Sequence, residues 1–486
     1  MNLTPYFAMS VASDATLNAE HYIGGGANAT SIHPVVLAAM LVSIVLMWVL
    51  PRKYVILPFM AVTFLTPLAE QINIGGLHFF VVRILILAGW MRMGWGRIAQ
   101  KKPILGDRFN KVDKVFLIWA ITHSTAVLLL WRSGAAMVNQ FGVLWNVIGG
   151  YFLIRYLIRD REDIKRVIEA FAVCAAILGL AMLNEKVRMQ NVFGFLGEVP
   201  LVPEMRDGHV RAQGPFMHPL LAGSFGATCI PLFLWLWYQG KAKALAVAGA
   251  IGGAIMAVTC SCSTPLMAGM AGLAALFIWP LRTKLRVMLW GLVGCLVVLH
   301  LAMKAPVWFL IARIDLAGGS SGYHRAKLID TFLRHFWDWW LIGTSDAFTW
   351  GWDMWDTCNQ YIQEGEGGGL IPLVCFILMI AFCFKRLGNA MRRLRSNRKQ
   401  EWPLWILGCA LFGNVIGFFG ITYFDQTQMA WFILLAIILA ATSLATATAK
   451  VKPAETLKSV PVPELSTLET EWTSVNPRDR AKVWIQ

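Results

Sequence analysis

Apolar runs of about 20 residues, each long enough to cross roughly 30 Å of hydrocarbon as a helix, dominate this chain. About thirteen can be read, near 33–51, 54–71, 78–95, 113–131, 134–155, 164–183, 219–239, 243–260, 264–281, 285–303, 368–384, 402–420 and 427–448. The pattern predicts an all-α fold, a polytopic integral membrane protein of about 12–14 transmembrane helices forming one unit over 34–448. A segment at 1–33 precedes it. The tail at 449–486 is rich in Pro, Thr, Ser and charge, lacks an apolar period, and reads as disordered and cytoplasmic. No internal repeat of fixed period is visible, which weighs against an inverted-repeat transporter.

Composition agrees: 57% of the 486 residues are hydrophobic and only 15% are charged, so most of the chain belongs in lipid. The net charge of +15 would suit a nucleic-acid partner, but its distribution argues for none. Basic residues fill alternate loops: Arg52 and Lys53, then Arg97 to Lys114, Arg155 to Arg166, Lys241 and Lys243, Arg282 to Arg286, and Lys385 to Lys399. By the positive-inside rule these loops are cytoplasmic, with the N-terminus outside and the C-terminus inside. The first 33 residues hold no Lys or Arg, so they read as extracytoplasmic and without a cleaved signal peptide. The nine cysteines are mostly single residues within apolar runs and define no disulfide framework. Cys260 and Cys262 stand two apart, a spacing that does not by itself make a metal site.

With this orientation two outward loops are long, about 184–218 and about 304–367, and long loops in compact proteins are usually functional or disordered. The first ends with Arg211, a Gly214-Pro215 turn, and His218 capping a helix that starts at Pro219. The free N–H groups of that helix face outward and suit an anion. Lipid phosphate would be a bland partner for Arg211, and capping a bland role for His218. The second loop predicts an amphipathic helix over 322–337, capped by Ser320 or Ser321. Its apolar stripe is Leu328, Ile329, Phe332 and Phe336, with Lys327, Asp330, Arg334 and Asp338 opposite. Such a helix would lie flat at the outer interface, with Trp337, Trp339 and Trp340 in the headgroup belt. Arg325 falls on the apolar stripe and calls for an anionic partner, or snorkels. The stretch 356–369, "DTCNQYIQEGEGGG", adds carboxylates, and its glycines predict close approach of backbone to ligand.

Taken in order, Arg211-Ala212-Gln213-Gly214-Pro215-Phe216-Met217-His218-Pro219, then Arg325 leading through a Trp-rich helix to Leu341-Ile342-Gly343, then Asn359-Gln360-Tyr361-Ile362, resemble the bacterial O-antigen ligase and polymerase superfamily over about 205–385. The resemblance implies an inner-membrane glycosyltransferase without cofactor or metal. It would take a glycan from an undecaprenyl-diphosphate carrier on the periplasmic face and join it to a glycan or lipid acceptor, among membrane lipids and other polysaccharide assembly proteins. It implies that Arg211 and Arg325 hold the diphosphate. In this chain Cys358 stands before Asn359 where the family commonly has histidine, so the general base is sought among Asp356, Glu366 and His218. Asn359, Tyr361, Trp352 and Trp355 would position glycan. A transporter would instead carry ionisable groups deep in several spans, and Arg83 and His123 are the clearest here. A non-enzymatic assembly subunit would share the topology.

Overall fold

A computed structural model describes residues 30–100, 109–240, 242–313, 322–351, 354 and 357–451. Helix makes up 76% of it, and two short hairpins are the only sheets among the described residues, which makes the fold all-α. In chain order, α1 (Pro34–Val49) and α2 (Ile56–Leu65) lead to the hairpin β1 (Gln71–Ile74) and β2 (Leu77–Phe80), then α3 (Val81–Gln100). Next come α4 (Lys111–Trp131), α5 (Gly134–Leu144), α6 (Gly150–Leu157) and α7 (Arg161–Arg188). The hairpin β3 (Glu204–Arg206) and β4 (His209–Arg211) precedes α8 (Pro219–Gln239), α9 (Lys243–Thr259), α10 (Ser263–Phe277) and α11 (Leu285–Ala302). The chain ends with α12 (Gly322–Arg334), the single turn α13 (Phe336–Trp339), α14 (Gln360–Gly368), α15 (Leu370–Arg393), α16 (Arg398–Gly417) and α17 (Asp425–Val451). Seven helices, one of them α5 and α6 run together, are long and apolar enough to cross a membrane, and α1, α9 and α10 are shorter apolar helices.

Every predicted run contains a helix, but the run at 54–71 does not stay helical. Pro67 pushes Thr66 into extended backbone (φ −128°, ψ 152°), the helix stops at Leu65, and a hairpin takes the chain to Val81. Helix starts follow local chemistry. His33-Pro34 and His218-Pro219 open α1 and α8 in the same way, with a ring Nδ1 accepting a backbone N–H and proline at the first helical position. Asn110 and Asp113 form a reciprocal capping box on α4.

Helix α8 lies at the centre, with 83% of its apolar window buried. Small residues let its neighbours close in. A Cβ on Gly252 of α9 would come within 2.2 Å of the Ala175 carbonyl of α7, and one on Gly253 within 2.6 Å of the Gly226 carbonyl of α8. Backbones packed this closely gain dispersion contacts that apolar solvent cannot supply by a hydrophobic effect.

Several basic loop residues are fixed in ion pairs. Arg52 binds Asp163 at 2.9 Å, Arg166 binds the same carboxylate at 2.6 Å, and Arg282 binds Glu401 at 3.0 Å. Asp113, fully buried, accepts from the Tyr151 hydroxyl at 2.7 Å and from Arg155 at 3.2 Å, tying α4 to α6. Of the two ionisable groups noted above, Arg83 donates to the His78 carbonyl at 2.8 Å and lies over the Phe80 ring.

Removing Asp113 leaves Arg155 buried without its counter-charge, a loss of about 3–5 kcal/mol. Asp113→Ala is therefore expected to unfold well below the parent in a detergent thermal melt, and Tyr151→Phe, which removes one hydrogen bond, only slightly below it.

Candidate functional site

The residue after which the first long loop turns toward α8 is Arg211, and it is buried, 5% exposed. Register pairs it across the hairpin with Glu204, whose two carboxylate oxygens accept from Nη1 at 2.8 and 2.9 Å. Nη2 donates to the Cys262 sulfur at 3.2 Å. Nε is buried and has no hydrogen-bond partner among the described residues. Burial opposes the guanidinium charge, but Cys262 and Glu204 more than offset it and raise the Arg211 pKa.

The surrounding chain holds this arginine in place. Glu185, fully buried near the end of α7, accepts from the Gln213 and Gly214 amides at 3.1 and 2.8 Å. Asn191 donates to the Gly214 carbonyl at 2.8 Å, and Gly214 takes φ +59°, which glycine adopts without steric cost. On the other side, Ala212 N–H bonds to the Thr259 carbonyl at 3.2 Å, and Lys186 donates to Ser261 Oγ at 2.6 Å. The strand is thus fastened to the corner between α9 and α10, where Ser261 has φ +49°. His218 caps α8 through Nδ1, which accepts from Leu220 N–H at 3.1 Å, so a neutral ring carries its proton on Nε2.

Cys262 is where the two long loops meet. Arg325 lies on the buried face of α12, 7% exposed, and its charge acts on the same thiol that Arg211 touches. A hydrogen bond from Cys260, together with the Arg211 and Arg325 charges, overcomes burial and pulls the Cys262 thiol down to about 7. Arg211 thus touches, and the Arg325 charge acts on, one sulfur that the motif reading did not single out. The only signal for it was position: Cys262 immediately precedes α10, directly beside the turn that receives β4.

The stretch 360–368, whose glycines predicted close approach of backbone to a ligand, is the buried helix α14. Asn359 caps it, its Oδ1 accepting from Tyr361 N–H at 2.9 Å and Ile362 N–H at 3.2 Å. The Tyr361 hydroxyl donates to the Val415 carbonyl at 3.1 Å. Both residues therefore hold the helix; they do not present free polar groups to a glycan. The glycines serve packing: a Cβ on Gly365 would lie 2.4 Å from the Phe332 ring, and one on Gly367 3.0 Å from His123. Gly369, at φ +84°, passes close to the Leu341 carbonyl. The predicted interfacial helix is likewise split after Arg334, and its Leu328 and Phe332 pack with Met354 and Ile362 of the chain itself. Trp339, expected among headgroups, is buried, stacks on Phe332 at 4.0 Å and donates to the Phe332 carbonyl. Trp337 is exposed, as expected.

Glu366 is buried within α14, 4% exposed. One carboxylate oxygen accepts from the Thr357 hydroxyl at 2.5 Å, and the other has no partner among the described residues. Burial raises its pKa to about 7, with the Thr357 bond acting in the opposite direction. Glu364, two residues earlier, accepts from Trp119 at 2.6 Å and Gln360 at 2.7 Å, and burial raises it to about 7 as well. The Glu366 region reaches the arginine corner through the 418–424 segment: Thr422 donates to the Thr357 carbonyl at 2.7 Å, and Thr264, two residues after Cys262, to the Gly420 carbonyl at 3.3 Å. Asp356, Trp352, Trp355, Ser320 and Ser321 lie outside the described residues. No group of three or more His, Cys, Asp or Glu among the described residues could hold a metal ion.

No protein-family model matches the chain, and no curated protein matches it.

Glu185 and Asn191 shape the turn that follows Arg211, although neither belongs to a sequence motif. Glu185→Ala orphans two buried amides at about 1–3 kcal/mol each, so a melting temperature several degrees below that of the parent is expected in detergent. Glu204→Ala leaves the buried Arg211 guanidinium without its carboxylate partner and is expected to lower it at least as much.

Proposed function

We propose that this chain is an inner-membrane glycosyltransferase of the O-antigen ligase and polymerase type. The roughly thirteen apolar runs read in the sequence would be spans, with the N-terminus outside and the C-terminus in the cytoplasm. It moves a glycan from an undecaprenyl-diphosphate carrier to a glycan or lipid acceptor on the periplasmic face, in O-antigen or exopolysaccharide assembly. The observation that carries this reading is the buried Arg211, whose Nη2 touches Cys262 and whose Nε–H has no partner among the described residues, with the charge of the buried Arg325 acting on the same sulfur. The ordered motifs linking Arg211, Arg325 and Asn359 add to it.

In this reading the bond between the sugar C1 and the diphosphate oxygen breaks, and the diphosphate leaves with the electron pair. Arg211 and Arg325 stabilise that charge, which fixed cations in a site of low polarity do far better than water. The Nε2–H of neutral His218, at the positive end of α8, donates to a phosphate oxygen. The acceptor hydroxyl attacks C1 and gives its proton to Glu366, whose second oxygen has no partner among the described residues. Asp356 is the alternative base.

Arg211→Lys and Arg325→Lys keep the charge but lose the bidentate fork, and each is expected to lower turnover of a lipid-linked donor about 10²–10³-fold while the protein remains in the membrane. Normal polymer in cells carrying both changes would rule out the diphosphate role. Glu366 acts as base only when ionised, so kcat is expected to rise as pH passes about 7. Glu366→Gln is expected to remove that limb together with at least about 100-fold of the rate, and full activity in this variant would move the role to Asp356.

A further inference from the structure

Lys186 fastens β4, yet its ammonium also stands beside the arginine corner with no carboxylate against it among the described residues. We infer that Lys186 is a further substrate-binding residue of this site: its ammonium contacts one phosphate of the diphosphate while the arginines hold the other. The inference rests on the reading of this corner as a diphosphate site.

Fastening does not require the cation. Ser261 Oγ donates to the Val210 carbonyl at 2.9 Å and so ties the α9–α10 corner to β4 by itself. Lys186 Nζ is added to that bond, donating to the same hydroxyl at 2.6 Å and to the same carbonyl at 3.4 Å. An ammonium carries three N–H groups, and the third has no acceptor among the described residues. Neither neighbouring carboxylate answers the charge: Glu185 is turned to the Gln213 and Gly214 amides, and Glu204 holds Arg211.

The end of α7 favours a cation in its last turn, which accounts for a lysine there but not for its reach to another corner. At that corner the helix field is positive. Helix α10 begins there, and its N-cap, Cys262, makes no side-chain capping bond. Val210 precedes Arg211 and Ser261 precedes Cys262, so the ammonium stands one residue along both segments from the Arg211–Cys262 contact. Arg211 points to a ligand independently, since its side chain is 7% exposed and its Nε–H has no partner among the described residues. Lys186 is half-buried where Arg211 is buried, so the ammonium is the cation that solvent reaches. A flexible point charge suits that outer position, and a planar fork the inner one. A diphosphate diester carries one charge on each phosphate, one for the ammonium and one for the arginines.

The test uses the full-length protein in detergent at neutral pH and P1,P2-dimethyl diphosphate. By calorimetry, Lys186→Gln, which keeps a side-chain N–H for Ser261 but no charge, is expected to bind the diester at least about tenfold more weakly than the parent. Ser261→Ala, which breaks the fastening bonds and keeps the ammonium, is expected to stay within about threefold of the parent. Thermal melts should follow the same pattern: the diester raises the melting temperature of the parent and of Ser261→Ala, and that of Lys186→Gln much less, whatever the stability of each empty protein. In the parent itself, the diester should shield Lys186 from an amine-acylating reagent, read by mass spectrometry, while the exposed Lys243 is labelled as before. Binding of parent strength by Lys186→Gln, an equal loss in Ser261→Ala, or labelling of Lys186 that the diester does not reduce overturns the inference and leaves the diphosphate reading intact. Failure of the parent to bind the diester would sink that reading, and the inference with it.

Discussion

A guanidinium removed from water must be surrounded by acceptors, and the site end of this bundle is organised around that requirement at Arg211. Its two terminal nitrogens are satisfied by groups from different parts of the chain, a carboxylate across the hairpin and a thiol at the start of α10. To bring them together, β4 must be fastened to the α9–α10 corner on one side and turned sharply toward α8 on the other. The first task falls to the Ala212–Thr259 and Lys186–Ser261 bonds, the second to Glu185, Asn191 and the left-handed Gly214. Each of these is a local consequence of burying one charge.

Much of the scaffold was legible because helix in an apolar medium needs only length and hydrophobicity. Proline rules correctly gave the His218-Pro219 start of α8, and helical periodicity correctly set Arg325 on the buried face of α12. The misreadings have physical causes. The apolar run at 54–71 contains Pro67, whose restriction on Thr66 outweighs hydropathy. The glycine cluster near 365 suggested close approach of backbone to a ligand, but in α14 the close approach is to Phe332 and His123, and that packing offsets the propensity cost of about 1 kcal/mol per residue. Trp339 was assigned to headgroups by composition, whereas its contacts are with Phe332 and Phe336.

The site itself was legible only by halves. Arginines carry a signal in sequence because a cation beside an apolar run demands a reason, and so Arg211 and Arg325 stood out. Their partners did not. Cys262 is 51 residues from Arg211, and Trp119 is 245 residues from Glu364, separations at which no periodicity or spacing speaks. Asn359 and Tyr361 stood out in the motif, and each has a local engagement that the motif did not announce, Asn359 capping α14 and Tyr361 bonding a carbonyl.

Buried carboxylates at two places in the fold show what separates scaffold from chemistry. Asp113 has both oxygens engaged, by Tyr151 and Arg155, and Asp163 is bound by Arg52, by Arg166 and by the Arg159 N–H. Such saturation fixes helices and leaves nothing for a ligand. Among the described residues Glu366 is held through one oxygen only, and Arg211 through two of its three nitrogens. An unmet buried valence costs stability in the empty protein, by about 1–3 kcal/mol for each group. Glu401, paired with Arg282, also keeps one oxygen unmet among the described residues, so an unmet valence alone does not mark a site; at Glu366 and Arg211, joined through the 418–424 segment, it falls where an incoming anion and an attacking hydroxyl would recover the cost.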